Sequence, residues 1–364
     1  MLGLALGVLI GALSALLLLH PNTVVPLIHE FASPSAIAAA SLCFSFVAST
    51  FLGMPDSQSN ISMLPSHKLV SGGHGNKALK TVALSSLIAA IAVAAASPLL
   101  LPFYEMFYKA MVPYLFPAVL LLTLLLFAKL EKLIPNAIAF AISGIFGALV
   151  LNAGLSEPLM PLFTGLFAVP SLLFASKHFP KQRREGAEFL PAYIIVGALL
   201  GAVAVVLPAF NSPSLITALA SAAISVSTIE FLALSSSVSS ATLFASILMH
   251  SATGKARQGF LAYETPCPEN LIYALASFAA CSAVLYLISE RAGRFFSALN
   301  MEKLRPFILF YLIVVCYALS GLGGVLAMSG AAAIGSFCLK LGAERRFLMG
   351  SLLVPTLMLL ACLQ

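Results

Sequence analysis

Long apolar stretches dominate this chain, and short polar or basic stretches separate them. A helix needs about 20 predominantly apolar residues to cross the hydrocarbon core of a bilayer. Two stretches, 59–73 and 238–252, are short enough to turn back inside the bilayer instead of crossing it. We therefore predict an all-α polytopic membrane protein with 12 to 14 helical segments, including short re-entrant or broken helices. The segments are 1–19, 35–53, 59–73, 77–101, 108–128, 134–152, 158–175, 189–208, 214–233, 238–252, 270–289, 305–322, 324–340 and 346–363.

A polar signature interrupts this apolar pattern twice. Residues 50–62 read TFLGMPDSQSNIS, and residues 230–242 read EFLALSSSVSSAT. Each copy carries one acidic residue, Asp56 or Glu230, followed by small hydroxyl or amide side chains. A lipid-embedded chain keeps such groups only where they meet each other, water or a solute, so the signature indicates a binding site. Duplicated, interrupted segments of this kind are typical of secondary transporters.

Three further landmarks recur in the same order in both halves of the chain. They are an apolar G-x-x-x-G stretch, a cluster of Pro, Asn and hydroxyl residues, and a glycine turn followed by basic residues. They lie at 7–11, 20–23 and 75–78 in the first half and at 197–201, 208–214 and 254–257 in the second. A G-x-x-x-G spacing leaves a flat helix face that another backbone can approach closely. The shared order predicts two repeats, about 1–175 and 189–364, within one transmembrane domain covering 1–364.

The charged residues are few and unevenly placed. Only 9% of residues are charged and 60% are hydrophobic, whereas a soluble domain has about 25% charged residues. The formal net charge of +6 comes from short basic loops, which indicates orientation and gives no reason to expect nucleic-acid binding. The positive-inside rule places the basic loops in the cytoplasm, so the first helix runs inward and its counterpart at 189–208 runs outward. The two repeats are therefore predicted to be inverted, although Lys255 and Arg257 then fall outside, against the rule.

The polar residues define a candidate substrate site. Gly53 and Pro55 interrupt the first signature, and the hydroxyl and amide residues after them are good helix-capping types. A helix amino terminus carries partial positive charge and can receive a carboxylate. The alternative for the serines is that their hydroxyls bond back to carbonyls of their own helix. The predicted substrate-binding residues are Asn22, Thr23, Ser57, Ser59, Asn60, Asn211, Ser212, Ser235, Ser236, Ser237 and Ser239.

Asp56 and Glu230 are the predicted ion-coupling residues. A carboxylate beside unwound backbone carbonyls can supply oxygens to a sodium ion, or a desolvated carboxyl can take up a proton. The alternative is that each residue caps a helix or lies in the headgroup zone. We therefore expect no cofactor, and the only non-protein component considered besides substrate and lipid is a sodium ion that couples transport. The six cysteines have no metal-type spacing, so no metal site is predicted.

The order of these landmarks resembles the large membrane subunit of tripartite tricarboxylate transporters, in particular the compact archaeal-type branch. The chain departs from that pattern where it has Leu18-Leu19 and Pro208-Ala209 in place of Pro-Gly turns. The matching stretches are GVLIGALSALLLLHPNT, FLGMPDSQSNISMLPSHKLVSGGHGNKALK, PLMPLFTGLFAVPSLL and TIEFLALSSSVSSATLFASILMHSATGKARQGF.

The resemblance implies a secondary active transporter for a small organic anion, a di- or tricarboxylate, in the plasma membrane of a prokaryote. It also implies a small membrane subunit and an extracytoplasmic binding protein as partners, beside the lipid bilayer itself. One alternative keeps the fold but carries a lipid-linked or amphipathic anion, for which the leucines at 16–19 leave room. An intramembrane enzyme is disfavoured because the chain has neither H-E-x-x-H nor G-x-S-x-G, so no catalytic residue is predicted.

Overall fold

A computed structural model of the chain describes residues 2–16, 24–25, 28–52, 63–127, 132–174, 180–206, 217, 220, 226–298 and 301–362. We number its α-helices in chain order. They are α1 Leu2–Leu16, α2 Pro34–Val47, α3 Met63–Ser71, α4 Gly75–Ala95, α5 Ser97–Met111, α6 Leu115–Leu126, α7 Leu133–Leu151, α8 Leu159–Phe163 with Val169–Phe174, α9 Pro191–Ala204, α10 Thr228–Thr253, α11 Glu269–Ala298, α12 Met301–Lys340 and α13 Gly350–Cys362.

All regular structure in these described ranges is helical, which confirms the all-α prediction. By length and composition, seven helices of the described part can cross a membrane: α4, α7, α10, α11, α12, α2 together with its π turn (Pro34–Phe51), and α13 together with the 3-10 turn before it (Arg345–Cys362). Shorter apolar helices occur within α1, α8 and α9. The chain is therefore a multi-pass membrane protein, as the apolar pattern predicts.

Three helices depart from regular α geometry. A π-helical turn, Ala48–Leu52, ends α2, and a second, Thr164–Ala168, joins the two parts of α8. Gly321, with φ 62° and ψ −162°, breaks α12 near the end of the predicted segment 305–322, shortly before the predicted segment 324–340. Ser320 donates to the Glu157 carbonyl at 2.9 Å at one end of α8, while Arg305 and Arg345 reach Leu173 and Ser171 at the other. The two parts of α12 therefore run in opposite directions along α8.

The described helices form two bundles, each with its own core. The first bundle comprises α1–α5 and α9–α11, and the second comprises α6–α8, α12 and α13. Across the boundary the described helices make no extensive contact, although Leu304 of α12 packs against the first core as well as its own neighbours. Each predicted repeat therefore contributes helices to both bundles.

The central helices of the first bundle run in opposite directions. Glu264 bonds Ser33 and Ser35 at the start of α2, and its carbonyl contacts His250 at the end of α10. The beginning of α2 and the end of α10 thus lie at the same end of the bundle. At the other end, Lys80 in the early part of α4 pairs with Glu290 in the late part of α11 at 3.0 Å. The pair α4 and α11 is therefore antiparallel as well.

Both predicted G-x-x-x-G faces are close helix crossings. A Cβ atom built on Gly11 of α1 lies 2.4 Å from the Ile37 carbonyl oxygen of α2. One built on Gly201 of α9 lies 2.6 Å from Ala241 Cβ of α10. Since real Cβ atoms do not approach so closely, glycine is required at both positions for the backbones to meet.

The contacts correct the predicted register between the two polar signatures. Gly197 opposes Ser237 as Gly7 opposes Ala36, so residues 230–242 occupy the place of the beginning of α2 and not that of 50–62. The predicted interruption there, between segments 214–233 and 238–252, is wrong, because α10 is continuous from Thr228 to Thr253. No Gly or Pro lies within α10, so nothing in its backbone forces a break.

Basic side chains gather at one end of the molecule, which we call the basic end. The linker of residues 180–190 crosses this end and is tied to the turn before α4, with the Arg183 N–H donating to the Gly73 carbonyl at 2.8 Å. The positive-inside rule predicts that this end faces the cytoplasm. Arg257 lies at the opposite end, where its guanidinium donates to the Val206 carbonyl at 3.1 Å and covers the Tyr108 ring. The residues at the basic end are Lys68, Lys77, Lys80, Lys132, Lys181, Arg183, Arg184, Arg291, Arg294, Lys303, Arg305, Lys340, Arg345 and Arg346.

Candidate substrate cleft

A cleft lies in the first bundle, between the π turn of α2, α3, α4 and α10. It is small, and part of its space is open to the outside. Helices from both halves of the sequence form its walls. Its lining residues are Phe46, Ser49, Thr50, Ser66, Val82, Leu232, Ser235 and Ser236.

The cleft is lined by neutral hydroxyl groups on an apolar background. Ser49 donates to the Phe46 carbonyl at 3.2 Å, and Ser66 donates to the Ser49 carbonyl at 3.3 Å. Within the described part of the chain, the hydroxyls of Thr50 and Ser235 have no hydrogen-bond partner. A hydroxyl rotates to suit its partner and can donate to a carboxylate. These two groups can therefore bind an anionic oxygen without breaking an existing bond.

Helical spacing decides which serines of α10 reach the cleft. Leu232, Ser235 and Ser236 follow an i, i+3, i+4 pattern and share one face of the helix. Ser237 instead donates to the Ser85 carbonyl of α4 at 3.3 Å, and Ser239 donates to the Ser235 carbonyl at 2.9 Å. Of the four predicted serines, Ser235 and Ser236 line the cleft, whereas Ser237 packs against α4 and Ser239 bonds its own helix.

These serines lie in the interior of α10 and do not begin a helix, contrary to the prediction that they lie at a helix amino terminus. Ser236 bonds back to the Ala233 carbonyl at 3.2 Å and Ser240 to the Ser237 carbonyl at 3.2 Å. Such back-bonding satisfies a hydroxyl inside a continuous helix, so a serine run needs no interruption. The alternative expected for the serines, bonding to their own helix, therefore describes most of this stretch.

Three hydroxyl residues of the cleft, Ser49, Thr50 and Ser66, are not among the predicted site residues. The π turn adds one residue to its helical turn, and such turns occur frequently at functional sites. Here it places Ser49 and Thr50 on the cleft together with Phe46. Adjacent hydroxyl residues late in an apolar segment, just before Gly53 and Pro55, were the available signal.

Most of the other predicted site residues lie outside the described residues. They are Asn22, Thr23, Asp56, Ser57, Ser59, Asn60, Asn211 and Ser212. In the sequence, segment 53–62 nevertheless lies between two cleft residues, Thr50 before it and Ser66 after it. The substrate-binding and ion-coupling roles expected for this segment remain predictions.

Glu230 forms a capping box at the start of α10. The Ser227 N–H donates to Glu230 Oε2 at 2.6 Å, and the Glu230 N–H donates to Ser227 Oγ at 3.5 Å. The Glu230 carboxylate also bonds the Tyr193 hydroxyl near the start of α9. This is the helix-capping arrangement that the sequence left as an alternative, since reciprocal bonds of this kind satisfy free amides of the first turn. Its predicted role in ion coupling remains a prediction.

Metal-ligating side chains do not cluster in the described ranges, where no group of three or more His, Cys, Asp or Glu residues is placed to hold a metal ion. The cleft oxygens of the described residues are hydroxyls and carbonyls without charge. A cation there would need a charged partner, and Asp56 of segment 53–62 is the nearest acidic residue in sequence to the cleft residue Thr50.

Comparison with known proteins agrees with the sequence-based resemblance. The model of the tripartite tricarboxylate transporter TctA family matches residues 1–350. The chain is 27% identical over 189 residues to the uncharacterized protein MJ1079 of Methanocaldococcus jannaschii. That match covers 48% of this chain and 48% of the relative, so the chain spans about half the length of the curated protein it matches. No solved structure matches the chain.

Proposed function

The chain belongs to the tripartite tricarboxylate transporter TctA family, and from this premise we propose that its hydroxyl-lined cleft binds a small di- or tricarboxylate for secondary active transport. The family implies a transporter component of a tricarboxylate transport system in the prokaryotic cell membrane. The observation that carries the proposal is the meeting of hydroxyls from both halves of the sequence at one cleft.

The chemistry of the cleft suits a carboxylate. Hydroxyl groups together with the apolar side chains of Phe46, Val82 and Leu232 give the mixed lining of a small-molecule site. The amino-terminal end of α3, which carries Ser66, adds the partial positive charge of a helix start.

Inverted repeats are part of the proposal. The α1–α2 and α9–α10 pairs cross through equivalent glycines, and α2 and α10 run in opposite directions. A second matched pair of contacts supports the same relation. Ser277 of α11 donates to the Ala36 carbonyl of α2 at 2.9 Å, as Ser237 of α10 donates to the Ser85 carbonyl of α4 at 3.3 Å. Transporters with inverted repeats of this kind work by alternating access. For this chain the proposed movement is that of the first bundle against the second.

Ion coupling and accessory partners complete the proposal. Asp56 is the proposed ligand for a coupling sodium ion or proton, because its segment has cleft residues on both sides. Tripartite systems as a class include membrane-embedded and extracytoplasmic partners, so a small membrane subunit and a binding protein are proposed here.

Uptake of labelled citrate and succinate into proteoliposomes under an imposed sodium or proton gradient tests the proposal. We expect Thr50→Val and Ser235→Ala each to raise the half-saturating substrate concentration about tenfold or more, since a hydrogen bond to a charged group contributes about 1.5–3 kcal/mol. The matched controls are Ser45→Ala and Ser240→Ala, which remove buried hydroxyls from the same two helices outside the cleft.

The controls should transport with the wild-type half-saturating concentration. If no carboxylate in a broad panel is transported, the substrate assignment is wrong. If transport occurs but the cleft variants behave like the control variants, the substrate lies elsewhere in the protein.

A further inference from the structure

A partly buried cation without an acidic partner lies at the basic end of the second bundle. Arg345 begins the 3-10 turn Arg345–Met349, which precedes α13. Its Nη1 donates to Ser171 Oγ of α8 at 2.7 Å, and Ser171 is itself only 7% exposed. Its Nε is buried and has no hydrogen-bond partner among the described residues. In the described structure this guanidinium group is therefore matched by one neutral hydroxyl.

The acidic residue next to Arg345 in the sequence, Glu344, is bonded to other partners. Its carboxylate pairs with Arg346 Nη2 at 2.6 Å and accepts from Asn136 Nδ2 at 3.5 Å, while its N–H donates to Asn136 Oδ1 at 2.8 Å. Among the described residues no carboxylate pairs with Arg345. A charge that is partly removed from water and has no counter-ion is unfavourable, so we expect an anion from outside the chain.

Further basic groups lie close to Arg345. Arg305 of α12 donates to the Leu173 carbonyl in the last turn of α8 at 3.5 Å. Lys132 Nζ lies over the turn that leads from α12 to Arg345, 3.5 Å from a Cβ built on Gly342. At this end of the second bundle, six basic residues outnumber two acidic ones in the described ranges. The basic residues are Lys132, Lys303, Arg305, Lys340, Arg345 and Arg346, and the acidic ones are Glu302 and Glu344.

Exposed apolar side chains border these basic groups. Leu173 lies in the last turn of α8, and Phe337 and Leu341 lie at the end of α12. The side chains of all three are exposed. A soluble anion has no use for such neighbours, whereas the acyl chains of a phospholipid lie directly beside its charged headgroup. The combination therefore favours a lipid as the source of the anion.

We propose that Arg345 binds the phosphate group of an anionic phospholipid at the cytoplasmic boundary of the membrane, with Arg305 and Lys132 beside it. A guanidinium group matches a phosphate through parallel hydrogen bonds. Basic pockets between transmembrane helices on the cytoplasmic side hold such headgroups in other proteins. Arg345 lies in the second bundle and the cleft lies in the first, so the proposal does not depend on the transported substrate.

The alternative is a purely structural role for Arg345. A cation near the carboxyl end of a helix is favoured by the helix dipole, and Arg345 and Arg305 both reach the end of α8. In that case, replacing Arg345 destabilises the protein equally in every lipid. Lipid binding predicts a different result, because the unpaired charge stabilises the protein only once its anion is bound.

Thermal melting of the full-length purified protein in a neutral detergent, titrated with phosphatidylglycerol or phosphatidylcholine, tests the site. A ligand that binds only the native state raises the melting temperature. At roughly 100 times its dissociation constant, phosphatidylglycerol should raise it by about 5–10 °C, and phosphatidylcholine should raise it much less. A response to phosphatidylglycerol no larger than that to phosphatidylcholine would overturn the proposal. If inorganic phosphate alone produces the same rise, the ligand is a soluble phosphate compound and the lipid assignment is wrong.

Arg345→Gln removes the charge and keeps an N–H donor for Ser171. Without phosphatidylglycerol we expect this variant to melt at or above the wild-type temperature. Its half-saturating phosphatidylglycerol concentration should rise about tenfold or more, since a charge-assisted bond to phosphate is lost. A melting temperature that is lowered equally with and without phosphatidylglycerol would show the structural role instead.

Arg291→Gln is the matched control, because Arg291 is an exposed cation at the basic end of the first bundle. It should respond to phosphatidylglycerol as the wild type does. If both variants lose the response equally, anionic lipid is attracted to the basic surface in general and Arg345 forms no specific site. Arg305→Gln provides a further variant if Arg345→Gln does not fold. It should weaken the response in the same direction, and an unchanged response would count against the site.

Discussion

Helices α2 and α10 occupy matching places in the first bundle but end differently. Both cross a G-x-x-x-G helix, and they run in opposite directions. The α10 helix is regular over its 26 residues, whereas α2 turns into a π-helical turn at Ala48–Leu52, next to the cleft. The cleft therefore combines the side of one helix with the irregular end of the other.

A hydroxyl residue in an apolar segment can bond to its own helix or line a binding site, and the local backbone geometry determines which of the two occurs. In α10, Ser236, Ser239 and Ser240 return their hydroxyls to carbonyls of their own helix. At the end of α2, the irregular turn places Thr50 on the cleft, where its hydroxyl has no partner among the described residues. Serine content alone thus does not locate a binding site, whereas a break in the helix does.

The largest expected effect on stability comes from substitutions at the glycines where α2 and α10 are crossed by their neighbouring helices. Gly11→Val and Gly201→Val each place a branched side chain where a Cβ already lies 2.4 to 2.7 Å from the opposing helix. Overpacking of this kind destabilises by about 1–3 kcal/mol, and more where the contact is backbone. We expect both variants to lower the melting temperature strongly or to prevent recovery of folded protein from the membrane.

Gly186→Val is the control for these glycines, because a Cβ at Gly186 has open space around it. Its melting temperature should stay near that of the wild type. If one crossing tolerates valine and the other does not, the two helix pairs are not equivalent, and the case for inverted repeats weakens.

The sequence predicted the helical fold and the close crossings because both depend on local patterns. Apolar length predicts spans, and G-x-x-x-G predicts close approach, so Gly7–Gly11 and Gly197–Gly201 were identified correctly. The register of the repeats was not predictable from the polar signature, because Ser235 and its neighbours resemble residues 57–62 in composition but not in backbone role. The fold depends on which helices pack together, and no spacing along the chain reveals that each predicted repeat is divided between two bundles.

The candidate site was predicted only in part, because some of its residues have a local sequence signal and others depend on tertiary packing. Ser235 and Ser236 were identified by their position in apolar sequence, while Ser49, Thr50 and Ser66 were missed. These three depend on the π turn and on the placement of α3, which are products of tertiary packing.

Glu230 forms a capping box at the start of α10, and its substitution has the smallest expected effect on melting temperature and uptake. In Glu230→Gln the amide oxygen can still accept from the Ser227 N–H, so the capping box should survive. We expect near wild-type melting and unchanged dependence of uptake on the ion gradient. Loss of ion dependence with folding intact would instead support the sequence-based assignment of Glu230 as a coupling residue.

Binding of an anion in the cleft between α2, α3, α4 and α10 can be measured directly by fluorescence. The chain contains no tryptophan, so a single Phe46→Trp substitution gives a fluorescence signal from the cleft alone. We predict a saturable change in its fluorescence on titration with citrate or another di- or tricarboxylate, and no change for Phe337→Trp on the exposed surface of the second bundle. If a Phe46→Trp protein transports a carboxylate but its fluorescence does not respond to that carboxylate, the anion does not bind in the cleft.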